Sequence, residues 1–88
     1  VTDQVTPLAL VITTRSGPGV LHVVTGIIAA HSGDITSLTI VESSRDLTRL
    51  LPEVSVPDAE ALLADLAAAE PVTKVERVAT LGIDLAYK

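Results

Sequence analysis

Cysteine is absent from this sequence, which excludes a disulfide framework and any cysteine-based metal ligation or nucleophilic catalysis. Phenylalanine, tryptophan and methionine are absent as well, and Tyr87 is the single aromatic residue. Single-stranded nucleic acid is held on stacking rings, and phosphate backbones are held by clustered Lys and Arg. Here the six basic residues, Arg15, Arg45, Arg49, Lys74, Arg77 and Lys88, are dispersed among eleven acidic ones, for a formal charge of −5. Nucleic acid is therefore not an expected partner. No apolar run approaches the ~18 residues of a membrane span, and no charged stretch leads into an apolar one as in a signal peptide. These absences point to a soluble, cytoplasmic protein with no membrane partner. The sequence also lacks an initiating Met, which suggests a processed or trimmed chain and leaves a larger parent protein open.

What is present is aliphatic. Eighty-eight residues make a single domain spanning positions 1–88, 48% hydrophobic with a mean hydropathy of +0.52, built from Val, Leu, Ile and Ala. A domain this small buries a modest fraction of its surface. Such an aliphatic chain is expected to cover part of itself with a partner.

Taken in order, Val1 to Pro7 is a polar lead-in, and Leu8–Thr14 is a strand apolar on both alternating faces, as a central strand requires. Arg15-Ser16-Gly17-Pro18-Gly19 is a turn in which the glycines permit left-handed backbone and Pro18 fixes its own φ. Val20, Leu21, Val24, Ile27, Ile28 and His31 then recur at helical spacing, and Ser32-Gly33 is the exit, with Gly33 suited to the left-handed position. Asp34–Glu42 reads as a second strand whose alternation slips between Ile35 and Leu38, the mark of a bulge. Ser43-Ser44-Arg45-Asp46 is a four-residue turn, and Leu47–Val56 a third strand in which Pro52 demands a bulge or an edge position. Pro57-Asp58 opens a second helix with Leu62, Leu63, Leu66 and Ala69 on its buried stripe, and Glu70-Pro71 ends it. A last strand begins near Val72 and alternates through Ala79, Leu81, Ile83, Leu85 and Tyr87.

The order βαββαβ predicts an α+β, ferredoxin-like two-layer sandwich: a four-stranded antiparallel sheet with two helices on one face. The other face would lie open, to be covered by a partner sheet or subunit.

The turn before the first helix is the leading candidate site. It presents backbone N–H groups at a helix N-terminus, where the helix dipole favours a carboxylate or phosphate; a tight connection with no ligand accounts for the same residues. Arg15 is either an anion ligand or a solvated loop residue, and Asp34 either a ligand group or a plain strand entrance. His22 and His31 are nine residues apart and do not form an i, i+4 metal pair, so no metal is assigned, and no cofactor. Glu60 and Asp65 read as a solvated helix face, Ser43-Ser44 as turn chemistry, and no acid–base pair or nucleophile motif marks an enzyme.

The stretch Leu10–Val41, LVITTRSGPGVLHVVTGIIAAHSGDITSLTIV, resembles the first half of an ACT domain, whose pattern is an apolar strand, Asp-Arg-Pro-Gly-Val-Leu, a helix, then Gly-Asn-Ile and a strand. Ser16-Gly17 replaces a shorter, acidic-led approach to the Pro-Gly, and Asp34 stands where Asn is common. The resemblance implies a small regulatory module, dimeric or a higher homo-oligomer, that binds an amino acid or related metabolite and modulates an attached or associated metabolic enzyme. It also implies ligand-binding positions at Arg15, Ser16, Gly17, Pro18, Gly19, Val20, Leu21, Asp34 and Ile35. The turn and Asp34 lie at opposite ends of the first helix, about 18 Å apart at 1.5 Å per residue, so one small ligand cannot touch both in one chain. A two-fold axis setting this helix antiparallel to its mate would bring the turn of one chain beside Asp34 of the other. The alternative is a structural dimerisation module of this fold that has lost its ligand.

Overall fold

The computed structural model describes residues 6–78. Its elements run β1 (Thr6–Arg15), α1 (Val20–Ala30), β2 (Asp34–Ser43), β3 (Leu47–Val56), α2 (Ala59–Ala68) and β4 (Val72–Val78). The strands form one antiparallel sheet in the order β2-β3-β1-β4, the expected ferredoxin-like arrangement. The alternation beyond Val78 that marks the last strand in the sequence lies outside the described residues.

β1 is central because it is apolar on both faces. Leu8, Leu10 and Ile12 point to the helix layer and meet Leu50, Val54 and Val56 of β3, Val24 and Ile28 of α1, and Leu62 and Leu66 of α2 in one core. Burying each such side chain is worth ~1.5–3 kcal/mol. On the opposite face Ala9 and Thr13 are buried too, at 0% and 7% exposure. That face is not the apolar surface expected from β1: beside half-buried Val11 and Leu51 its central strand β3 contributes Arg49 and Glu53. Among the described residues the exposed large hydrophobic ones are instead Leu21 of α1 and Ile40 and Val41 of β2, at 42%, 56% and 54%.

Pro52 corrects a second expectation. It lies inside β3, an interior strand, and not at an edge. The β1–β3 ladder holds one register throughout but has no paired step at Leu10 and Val11, opposite Pro52 and Leu51, so the sheet accommodates the missing donor by a gap. The bulge is on the other side, in β2, where Thr36 is the extra residue between Ile35↔Val54 and Ser37↔Glu53. This is the slip read from the alternation. A second shift falls between Ile40 and Glu42, and a third sets Thr73 as the extra residue of β4 against Thr13/Thr14. Between Ser43 and Leu47 the connection is three residues, one shorter than expected, closed by Ser44 N–H on the Leu47 carbonyl at 2.8 Å.

The exit of α1 also differs from its reading. Ser32, not Gly33, takes the left-handed conformation, with φ 60°. Ser32 N–H donates to Ala29 O at 3.0 Å and Gly33 N–H to Ile28 O at 2.9 Å, the paired bonds of a Schellman ending. Gly33 is required for space: a Cβ there would lie 2.7 Å from Ile28 Cγ2 and 2.9 Å from Ile28 O. Asp65 is not merely solvated, since its Oδ2 lies 2.6 Å from His31 Nε2 and links α2 to the end of α1.

Two substitutions separate these roles. Gly33→Ala is expected to destabilise by about 1–3 kcal/mol through overpacking. Ser32→Gly relieves the left-handed strain and is expected to stabilise by up to ~1 kcal/mol. Urea unfolding of the two variants checks both signs.

Candidate functional site

The turn residues gather at the end of the sheet where β1 finishes, between the β2–β3 hairpin and the α2–β4 connection. Arg15 closes β1. Its backbone N–H donates to Pro71 O at 2.8 Å, and its guanidinium reaches Glu70 O at 3.2 Å and Glu70 Oε1 at 3.5 Å. The two side chains are 65% and 92% exposed, so the ion pair adds little stability and serves to hold the arginine over the loop. Ser16 is tied to the hairpin. Its N–H donates to Asp46 O at 3.2 Å, and its hydroxyl donates to Ser44 O at 2.8 Å. With that proton committed, Ser16 Oγ accepts from Thr48 Oγ1 at 2.7 Å.

Of the two glycines in the turn, only Gly19 uses its conformational freedom. Its φ of 84° and ψ of −5° are the third-position angles of a type II turn with Pro18 at the second. Gly17 has no left-handed φ and open space around it. Gly19 is also the N-cap of α1, and no side chain caps this helix. The first bond of α1 is Val23 N–H to Gly19 O at 3.0 Å, and the N–H groups of Val20, Leu21 and His22 have no acceptor among the described residues. The first turn of α1 holds no acidic residue.

α2 shows what a self-contained start looks like in the same chain. Asp58 caps it, accepting from Ala61 N–H at 3.2 Å, and Glu60 places a carboxylate in its first turn. The positive end of the α2 dipole thus meets acidic groups of its own, whereas that of α1 meets none. Val20 is half-buried and Leu21 exposed, so the donors of α1 lie beside an apolar surface.

Asp34 and Ile35 are placed elsewhere, at the opposite end of α1. Eleven helical residues separate the two ends, about 16 Å at the helical rise. Asp34 is exposed and opens β2 opposite Ser55, while the side chain of Ile35 packs against the hydrophobic core. One chain therefore brings Arg15 to Leu21 together and leaves Asp34 and Ile35 apart from them. Ser44, Asp46, Thr48, Glu70 and Pro71, which hold the turn, were not legible as partners, because only the strand register carries them to it. Among the described residues no group of three or more His, Asp or Glu could hold a metal ion. No helix among them is long and apolar enough to cross a membrane.

The contrast between the glycines is testable. Gly19→Ala is expected to cost ~1–2 kcal/mol from the left-handed φ alone, and Gly17→Ala to stay within ~0.5 kcal/mol of the parent. Ser16→Ala should cost ~1–2 kcal/mol by leaving the Ser44 carbonyl and Thr48 hydroxyl short of a partner. Denaturant midpoints of the three variants give the comparison.

No protein-family model matches this sequence, and no curated protein matches it. Solved structures do. The crystal structure of the ACT domain from GTP pyrophosphokinase of Chlorobium tepidum is similar at a TM-score of 0.70 with 17% identity, over 85% of this chain and 100% of that one. A homoserine dehydrogenase from Thiobacillus denitrificans is similar at 0.68 with 24% identity, over 86% of this chain but 17% of the dehydrogenase. A formyltetrahydrofolate deformylase from Pseudomonas putida is similar at 0.68 with 18% identity, over 84% of this chain and 29% of the deformylase. The chain thus spans under a third of either enzyme and the whole of the isolated domain. Element order, sheet order and these likenesses together show that this chain has the fold of an ACT domain.

Proposed function

We propose that this chain is a non-catalytic regulatory module that binds an amino acid or related small metabolite at a homodimer interface and modulates an attached or associated metabolic enzyme in the cytoplasm. The observation that carries the reading is the start of α1: three backbone donors without acceptors among the described residues, no capping side chain and no acidic residue in the first turn, whereas α2 has both. Such an end favours a carboxylate supplied from outside.

The sheet supplies the reason for a dimer. Among the described residues β2 is an edge strand, and Ile40 and Val41 on it, with Leu21 on α1, are the exposed large hydrophobic residues. Asp34 opens β2, and the hairpin to which the turn is bonded closes it. Antiparallel pairing of β2 with the same strand of a second copy sets Asp34 of one chain toward the α1 start of the other. The shared pocket then offers N–H donors to a carboxylate and a carboxylate to an ammonium. Attachment to an enzyme is supported by the similar folds that form small parts of a homoserine dehydrogenase and a formyltetrahydrofolate deformylase. A ligand with unequal affinity for two subunit arrangements would bias such an enzyme.

One observation favours the structural alternative. Arg15 and Ser16 are already bonded within the chain, which leaves fewer side-chain groups for a ligand.

Thermal unfolding against a panel of free amino acids, with sedimentation to report the oligomer, decides between them. A ligand of the folded state raises stability by about 2.7 kcal/mol at a hundredfold excess over Kd. The expected outcome is a dimer with a saturable shift for one ligand, which Asp34→Ala and Gly19→Ala each abolish relative to their own baselines. A dimer that no compound shifts is the structural module, and a monomer overturns both.

A further inference from the structure

A groove of about 460 Å³ lies between α2 and the edge strand β4, away from the α1 start. Glu60, Leu63, Ala64 and Ala67 line one wall and Val75 and Arg77 the other. The four α2 residues follow the i, i+3, i+4, i+7 spacing of one helical stripe. Val75 and Arg77 oppose Ile12 and Leu10 of β1, which places both on the helix-covered face of the sheet. Leu63 and Val75 are half-buried against the core and form an aliphatic floor, and the short side chains of Ala64 and Ala67 leave the space above it open. No strand flanks β4 on its outer side among the described residues.

The two walls carry opposite charges. Glu60 stands in the first turn of α2, Arg77 on the facing strand, and among the described residues neither forms an ion pair. The groove volume falls within the range of about 300–1,000 Å³ typical of small-molecule sites. We infer that this groove binds a free amino acid with an aliphatic side chain: Arg77 takes the carboxylate, Glu60 the ammonium, and Leu63, Ala67 and Val75 the side chain. The guanidinium fork suits a carboxylate, and a polar side chain would find no partner on the aliphatic floor. This site is complete in one copy and is independent of the interface reading. Both charges are exposed, so binding is weak, with a dissociation constant on the order of 1 mM.

Nitrogen–proton NMR titration of the 88-residue chain with leucine tests this, with leucinamide and 4-methylpentanoate as probes lacking one charge each. Leucine is expected to shift the amides of Leu63, Ala64, Ala67 and Val75 saturably. Leucinamide, 4-methylpentanoate, Glu60→Gln and Arg77→Gln should each weaken binding about fivefold or more, while the response survives Gly19→Ala. Equal shifts from 4-methylpentanoate, or none at these amides up to ~20 mM leucine, overturn the assignment. Shifts confined to residues 17–22 and 34 overturn it too while supporting the interface site, and a groove response without any there leaves the interface reading to fail on its own.

Discussion

The hydrogen bonds of Ser16 hold the α1 start in place, and the candidate site depends on them. Through its N–H and hydroxyl, Ser16 bonds to Asp46, Ser44 and Thr48, so the turn is fastened to the β2–β3 hairpin before any ligand is considered. Arg15 fastens it on the other side to Glu70 and Pro71. The backbone N–H groups of Val20, Leu21 and His22 are left without an acceptor among the described residues. A carboxylate bound there, as proposed, would meet pre-organised donors, since no side chain would have to be ordered. Such donors also have little selectivity among carboxylates, so discrimination would rest with side chains nearby or across an interface.

Much of the architecture was readable from periodicity. The two-sided apolar run of β1, the helical spacing from Val20 to Ile28 and the cap at Asp58 are local signals, and local physics produced the corresponding elements. The slip between Ile35 and Leu38 was readable for the same reason, because a bulge inverts alternation within a single strand. Pro52 and Gly33 were misread for a shared reason. A proline in a strand says that one ladder bond is missing, not where the strand sits, and β3 is interior because its other positions, Leu50, Val54 and Val56, demand burial on the core face. A glycine after a helix says that something there excludes a Cβ. At Gly33 the excluding object is Ile28, a neighbour five residues back, and not a backbone angle.

The site was legible in part. Val20, Leu21 and Gly19 belong to a helix start that the sequence marks plainly, and the absence of an acidic residue in that first turn can be read directly. The partners of Arg15 and Ser16 could not be read, because Thr48 and Glu70 reach the turn through strand pairing thirty or more residues away. His31 and Asp65 illustrate the same limit. Each looks ordinary in its own helix, and only the packing of α1 beside α2 makes them a pair.

The extra residues in β2 and β4 bear on how copies of this chain can assemble. A sheet with two free, regular edges can add strand upon strand without end, as fibrils do. Here both outer strands are kinked by an inserted threonine whose hydroxyl bonds back to its neighbour, Thr36 to the Glu53 carbonyl and Thr73 to that of Thr13. A strand docking from outside must match a broken ladder, a fit that a symmetric mate can supply in one register and a sliding or unrelated strand cannot. The kinks therefore favour closed assemblies over open polymers at the two outer strands of the sheet that the described residues form.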